Sequence, residues 1–165
     1  MTGIAGILGP TGSDVTSRLS VILDSMKDRG SNPRTMVVDG NDRVIAIGLC
    51  SHENEPSRMI SPEEGSMVAD GIVPASLELE DVGGETDGRS LSDAVRTSRP
   101  FANLAISAGK LLALRDTVGQ KPLYFGTGPG GTVAVASLKT PLARIGIQHP
   151  QPVPPGKLVS LGNAE

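Results

Sequence analysis

Apolar positions along the chain follow two rhythms, and most of the expected architecture comes from where one gives way to the other. Residues 3–9, Gly-Ile-Ala-Gly-Ile-Leu-Gly, form a run of small and aliphatic side chains that predicts a strand starting almost at the first residue. Glycine interrupting such a strand points to close approach by another backbone or a ligand. Over residues 14–28 the period changes. Val15, Leu19, Ile22, Leu23 and Met26 recur at three- and four-residue spacing and make one stripe of a core-facing helix. Ser13 or Asp14 can cap it, and Gly30 lies just past its end. Residues 34–39 and 43–50 flank Gly40-Asn41-Asp42 and predict a β-hairpin. A polar loop at 51–65, a strand at Ser66–Ile72 and a short helix at 89–98, carrying Leu91, Ala94 and Val95, follow.

From Phe101 the signal becomes regular. Runs at about 101–108, 111–116, 122–126 and 132–137 are joined by Gly109-Lys110, by Thr117–Lys121 and by a glycine-rich turn at 126–131. They predict an antiparallel meander. Leu138–Ile145 predicts a short helix, and Val153–Leu161 a last strand started by Pro154-Pro155-Gly156. Strands early and late, with helices between hairpins, predict a sheet-rich α+β layered domain rather than a doubly wound parallel sheet. No repeat or long linker divides the chain, so residues 1–165 are expected to form a single domain.

Composition narrows the picture. A length of 165 residues can bury a core without disulfides or a structural metal. Hydrophobic residues make up 38% and aromatics only 2%, so that core must be aliphatic. Net charge is −3, from 15 Lys+Arg and 18 Asp+Glu with no basic stripe, which argues against nucleic acid as a partner. Cys50 stands alone, and neither a secretory leader nor a membrane-length apolar run is visible, so the cytoplasm is the expected compartment. His52 and His149 are the only histidines, so no metal site is expected. Cys50 ends a predicted strand and reads as a small buried hydrophobe. Gly126–Gly131 joins two strands and opens no helix, so it reads as a hairpin turn and not a phosphate loop.

One segment is more specific. Arg115-Asp116-Thr117-Val118-Gly119-Gln120-Lys121-Pro122-Leu123-Tyr124 resembles the R-D-x-x-G-x-K-P-L-Y signature of asparagine-synthetase-type class II glutamine amidotransferases. Met1-Thr2-Gly3-Ile4-Ala5-Gly6-Ile7 resembles that family's opening M-C-G-I-x-G-I, and Asp28-Arg29-Gly30 sits where H-R-G-P-D would follow the first helix. Ala136-Ser137-Leu138-Lys139 resembles S-E-x-K, and Pro154-Pro155-Gly156 matches P-P-G. These matches are collinear and span nearly the whole chain. The resemblance implies the N-terminal-nucleophile (Ntn) hydrolase fold, a four-layer αββα sandwich of two mostly antiparallel sheets. It implies no cofactor, glutamine or a related amino acid as ligand, and a protein partner carrying the synthase activity. Read as structure, the signature itself is scaffold: Arg115 and Asp116 end one strand, Gly119 permits a turn and Pro122 starts the next strand.

In that family the N-terminal Cys attacks the glutamine amide and its own free α-amine is the base, which works only when nothing precedes the nucleophile. Thr2 occupies this position. Small residues such as Thr permit removal of the initiator Met; a retained Met1 turns the amine into an amide and the base is lost. The family's N-G oxyanion pair falls on Asp70-Gly71, where an ionised Asp70 presents oxygens in place of a donor. The Arg that grips the glutamine carboxylate is missing from Gly48-Leu49-Cys50-Ser51-His52, with Arg58 as a substitute nearby. Asp87, in Glu85-Thr86-Asp87-Gly88, falls where the resemblance puts the contact to the substrate amine. Nucleophile, oxyanion donor and clamp are all changed, so the expectation is a domain whose ordinary glutaminase activity is lost or altered. Three readings stay open: a Thr2-dependent amidotransferase, a non-catalytic regulatory or binding subunit, and an Ntn-type protein with other amide chemistry.

Overall fold

The computed structural model describes residues 1–40, 42–60, 66–71, 99–107 and 109–162. The described chain begins with strand β1 (Gly3–Pro10), helix α1 (Val15–Asp24) and a single 3-10 turn at Lys27–Arg29. Strands β2 (Asn32–Asp39), β3 (Arg43–Ser51), β4 (Ser57–Ile60) and β5 (Ser66–Gly71) follow. The second half contains β6 (Phe101–Ser107), β7 (Lys110–Arg115), β8 (Tyr124–Thr127), β9 (Val133–Ala136), helix α2 (Lys139–Arg144), β10 (Gln151–Pro152) and β11 (Val159–Leu161).

These strands form two antiparallel sheets, one ordered β10-β8-β9-β1-β3-β2 and the other β11-β7-β6-β5-β4. The expected α+β arrangement of two stacked antiparallel sheets is therefore present. Between them lies an aliphatic core in which Ile4, Leu8, Ile47 and Leu49 of the first sheet meet Val68, Leu104, Leu111 and Ala113 of the second. Gly6 marks a close contact between the sheets, since a Cβ there would lie 3.1 Å from the methyls of Leu111. The close neighbour of this glycine is thus a side chain of the facing sheet, not the backbone or ligand expected. On the other side of the first sheet, Ala5, Ile7, Ala46 and Ala134 pack against Val15, Leu19, Ile22, Leu23 and Met26, with Leu142 of α2 alongside. The expected stripe is buried, although α1 ends at Asp24 and Met26 lies just beyond it, and Asp14 caps α1 by accepting from Ser17 N at 3.1 Å. The outer face of the second sheet buries Ile60, Met67, Ala105 and Leu112. The helix expected at 89–98, and Ile72 at the end of β5, lie outside the described residues.

Three expectations need correction. The strands from Phe101 onward are not one meander: β6 pairs with β7 in the second sheet, β8 pairs with β9 in the first, and the signature segment carries the chain across between them. The polar stretch after β3 contains a strand, β4, which pairs with β5. The last predicted strand is also shorter, because Pro154-Pro155-Gly156 makes a turn and only Val159–Leu161 pairs with β7. Among the described residues, no helix is long and apolar enough to cross a membrane.

Candidate functional site

The alternation that places Ile4 and Leu8 between the sheets carries Thr2 to the same side. Thr2 is 1% exposed. Its Oγ1 donates to Glu55 Oε2 at 3.1 Å, while the other oxygen of Glu55 accepts from the α-ammonium of Met1. The Thr2 carbonyl accepts from Arg29 Nη1 at 2.8 Å, and Arg29 Nη2 lies 3.7 Å from Met1 Sδ. Arg29 reaches this point because α1 stops at Asp24 and the 3-10 turn hands the chain to Gly30, which passes directly beneath Ser51. A Cβ on Gly30 would fall 2.2 Å from the Ser51 backbone nitrogen, so no other residue fits. The start of β1 is held from the opposite side by Ser137: Ile4 N donates to Ser137 Oγ, and Ser137 N donates to Ile4 O, each at 3.0 Å. Cys50 sits beside Gly3 and donates to Met26 O at 3.5 Å; burial pushes its thiol up, away from thiolate chemistry.

Asp70 closes the second side of the site. It follows Val68 by two residues on β5, so its side chain also faces the space between the sheets, and it is 2% exposed. Lys121 Nζ lies 2.9 Å from Asp70 Oδ1, and Arg29 Nη1 lies 3.8 Å from Oδ2, which accepts no hydrogen bond. The Thr2 carbonyl and Asp70 Oδ2 therefore flank the same guanidinium nitrogen. Gly71 adopts φ +101°, and a Cβ there would strike Pro100 O at 2.2 Å. Its N–H donates to Pro56 O at 2.9 Å. At this corner, then, one residue offers only acceptor oxygens and the other has already used its donor.

Lys121 is delivered by the signature segment. Asp116 is 3% exposed and accepts from Val118 N at 3.1 Å and Gln120 N at 3.0 Å through Oδ1, and from Lys121 N at 3.3 Å through Oδ2. Burial alone raises the Asp116 carboxyl, but the backbone N–H groups of Gln120 and Lys121 outweigh it and hold the group below the usual carboxylate range. Arg115 donates to Gly119 O and, at 3.3 Å, to Val153 O. Gly156 N donates to both Arg115 O and Asp116 O at 3.2 Å, so the signature and the P-P-G turn brace one another.

No family model matches the chain. It is 28% identical over 167 residues to proteins of Mycobacterium bovis and Mycobacterium tuberculosis that carry the provisional description of glutamine-hydrolyzing asparagine synthetases. That alignment takes in 82% of this chain and 26% of each relative, so the chain spans about a quarter of their length. Among solved structures, it superposes with a TM-score of 0.66 on one described as the allosteric regulatory enzyme of purine biosynthesis, at 20% identity over 98% of this chain and 47% of the other. A glutamine phosphoribosylpyrophosphate amidotransferase from B. subtilis gives 0.64 and 17%, again over 98% and 47%. The fold is the Ntn-hydrolase sandwich.

In this sandwich Thr2, Asp70 and Gly71 gather at one end, where β1 begins and β5 stops. Arg58 does not join them. It pairs with Ala69 on β4, between Ser57 and Met59, and its exposed side chain is on the face shared with Ile60, opposite to Asp70. Asp87 lies outside the described residues. Three members of the cluster were not foreseen as site residues: Arg29, Lys121 and Glu55. The first two belong to matched motifs, so their identity was visible but their convergence on Asp70 was not. Glu55 carried no signal beyond being an acid in a polar stretch. Among the described residues, no group of three or more His, Cys, Asp or Glu is arranged to hold a metal ion.

Proposed function

We propose that residues 1–165 form a class II glutamine amidotransferase-type domain in which ordinary glutamine hydrolysis has been lost. The domain is retained as a cytoplasmic amino-acid-binding or regulatory unit for a partner chain carrying synthase activity. The description of the relatives as glutamine-hydrolyzing asparagine synthetases supports glutamine as the ancestral ligand and a synthase as the partner activity. The observation that carries the loss of hydrolysis is the Asp70 carboxylate, buried against Lys121 at 2.9 Å where the resemblance puts an amide donor. Amide hydrolysis develops negative charge on the carbonyl oxygen, and removing one donor to that oxygen slows such reactions by about a hundred- to a thousandfold. Here the second donor, Gly71 N–H, is occupied by Pro56 O as well.

The competing reading, a Thr2-dependent glutaminase, draws on the Thr2–Glu55 hydrogen bond, which sets a hydroxyl against a carboxylate at 3.1 Å. Glutamate release from glutamine separates the two. The native chain should produce glutamate no faster than Thr2→Ala. A Thr2-dependent rate in protein whose N-terminus has been defined by mass spectrometry would overturn the proposal. Restoring nucleophile and donor together, Thr2→Cys with Asp70→Asn, should bring back measurable hydrolysis once Met1 is removed.

A further inference from the structure

Resting on the reading above, that the site holds an amino acid without hydrolysing it, the geometry points to an inverted hydrogen-bonding polarity at Asp70. The Thr2–Asp70 corner would take a neutral primary amide whose NH2 group donates to Asp70 Oδ2, instead of gripping the amide oxygen as hydrolysis requires. Three observations converge on this. Asp70 Oδ2 is buried and, among the described residues, accepts no hydrogen bond, a state that leaves a polar atom short of a partner. It faces the Thr2 side of the site, because Arg29 Nη1, 3.8 Å from it, is the nitrogen that donates to the Thr2 carbonyl. Finally, the other residue of the former donor pair offers nothing, since Gly71 N–H is spent on Pro56 O.

The charges around this oxygen select the ligand. Arg29 and Lys121 both lie against Asp70, so a ligand ammonium brought to Oδ2 meets two cations. A ligand carboxylate brought to the same atom sets acceptor against acceptor, with Asp70 left unsatisfied. A primary amide avoids both problems, since it is uncharged and offers two donors from one nitrogen. Held this way, its carbonyl carbon has no oxyanion donors behind it, so a bound ligand remains intact.

Calorimetric titration of the full chain with L-glutamine, L-glutamate and L-ornithine tests the assignment. Glutamine should bind at least about tenfold more tightly than either of the others, because a buried acceptor discriminates against ligands that cannot supply its donor. Asp70→Asn, which replaces the lone acceptor with a group that can donate, should narrow or reverse the glutamine-to-glutamate ratio. Since that variant also removes the partner of Lys121, a second measurement uses the native protein. Glutamine labelled with 15N in its side-chain amide should show that N–H signal moving downfield as the site fills. Glutamate binding as tight as glutamine, no glutamine binding at millimolar concentration, or an unmoved amide signal at saturation would each overturn the inference. Glutamate accumulating from glutamine through Thr2, with the ligand preference intact, would instead overturn only the reading on which it rests.

Discussion

Two buried aspartates, at the ends of the strands that flank β6 in the second sheet, are satisfied in opposite ways. Asp116, just after β7, is 3% exposed and caps its own turn, taking N–H groups from two, four and five residues ahead. Asp70, near the end of β5, is 2% exposed and depends on Lys121 and Arg29, brought from distant parts of the chain, with one oxygen still unmatched. The first is a closed arrangement that needs nothing from outside. The second leaves one buried oxygen without a hydrogen-bond donor among the described residues, and it lies in the candidate site. Lys121 joins them: its backbone nitrogen is held by Asp116 while its side chain neutralises Asp70. A segment read as pure scaffold therefore reaches into the site through one ammonium group.

The largest effect should come from the closed carboxylate. Asp116→Ala strands three backbone donors in a turn that also receives Gly156, and at about 1 kcal/mol per lost hydrogen bond the expected destabilisation is about 3 kcal/mol in chemical denaturation. Asp116→Asn retains one acceptor oxygen and should cost about half as much. The sign of the pH dependence follows from the lowered carboxyl. In the folded state it titrates below its ordinary value of 3.8, so the unfolded chain takes up its proton first as the pH falls. The contribution of Asp116 is complete above that value and is lost as the pH drops through the lower folded one. Denaturation curves on the acid limb should therefore be flatter for Asp116→Asn than for the native chain. An unchanged limb would remove the distinction between the two aspartates.

Asp70→Ala should be the milder of the two, at about 2 kcal/mol, because Lys121 retains a path to water while Arg29 keeps the Thr2 carbonyl. In a Lys121→Met background the same substitution should cost about 1 kcal/mol less, the coupling expected of a direct ion pair. Independent effects of the two substitutions would mean that the 2.9 Å contact carries no energy. A larger loss for Asp70→Ala than for Asp116→Ala would mean that the site carboxylate is the structural one.

What the sequence revealed follows the same division between local and distant. The helix stripe, its Asp14 cap and the β2–β3 hairpin are set by neighbours within a few residues, and each appears where the periodicity put it. The meander was misassigned because alternation tells a strand which faces it has but not which sheet it joins; β7 and β8 look like hairpin partners until the chain crosses at the signature. Strand β4 was missed because Ser57-Arg58-Met59-Ile60 is a short edge strand with a weak pattern. Thr2, Asp70 and Gly71, which the fold brings to one corner, were singled out through the family resemblance alone. Their partners were not, since Arg29 stands 27 residues from Thr2, Glu55 stands 53 from it, and Lys121 stands 51 from Asp70. Pairings at such separations are products of the completed sandwich.

Arg58 provides the smallest expected effect and a check on which face of β4 matters. Strand alternation sets Met59 against the inter-sheet core and Ile60 on the outer face, so Arg58 shares the outer face, where its side chain is exposed. To grip a ligand beside Asp70 it would have to come around the edge of the sheet, past Ser57, which is paired with Asp70 itself. Arg58→Ala should therefore change stability by no more than about 0.5 kcal/mol, as for exposed substitutions away from caps and networks. It should also leave glutamine binding, measured by calorimetry, unchanged. A clear loss of affinity in this variant, with stability intact, would show that the ligand reaches the outer edge of β4 and that the site is wider than the Thr2–Asp70 corner.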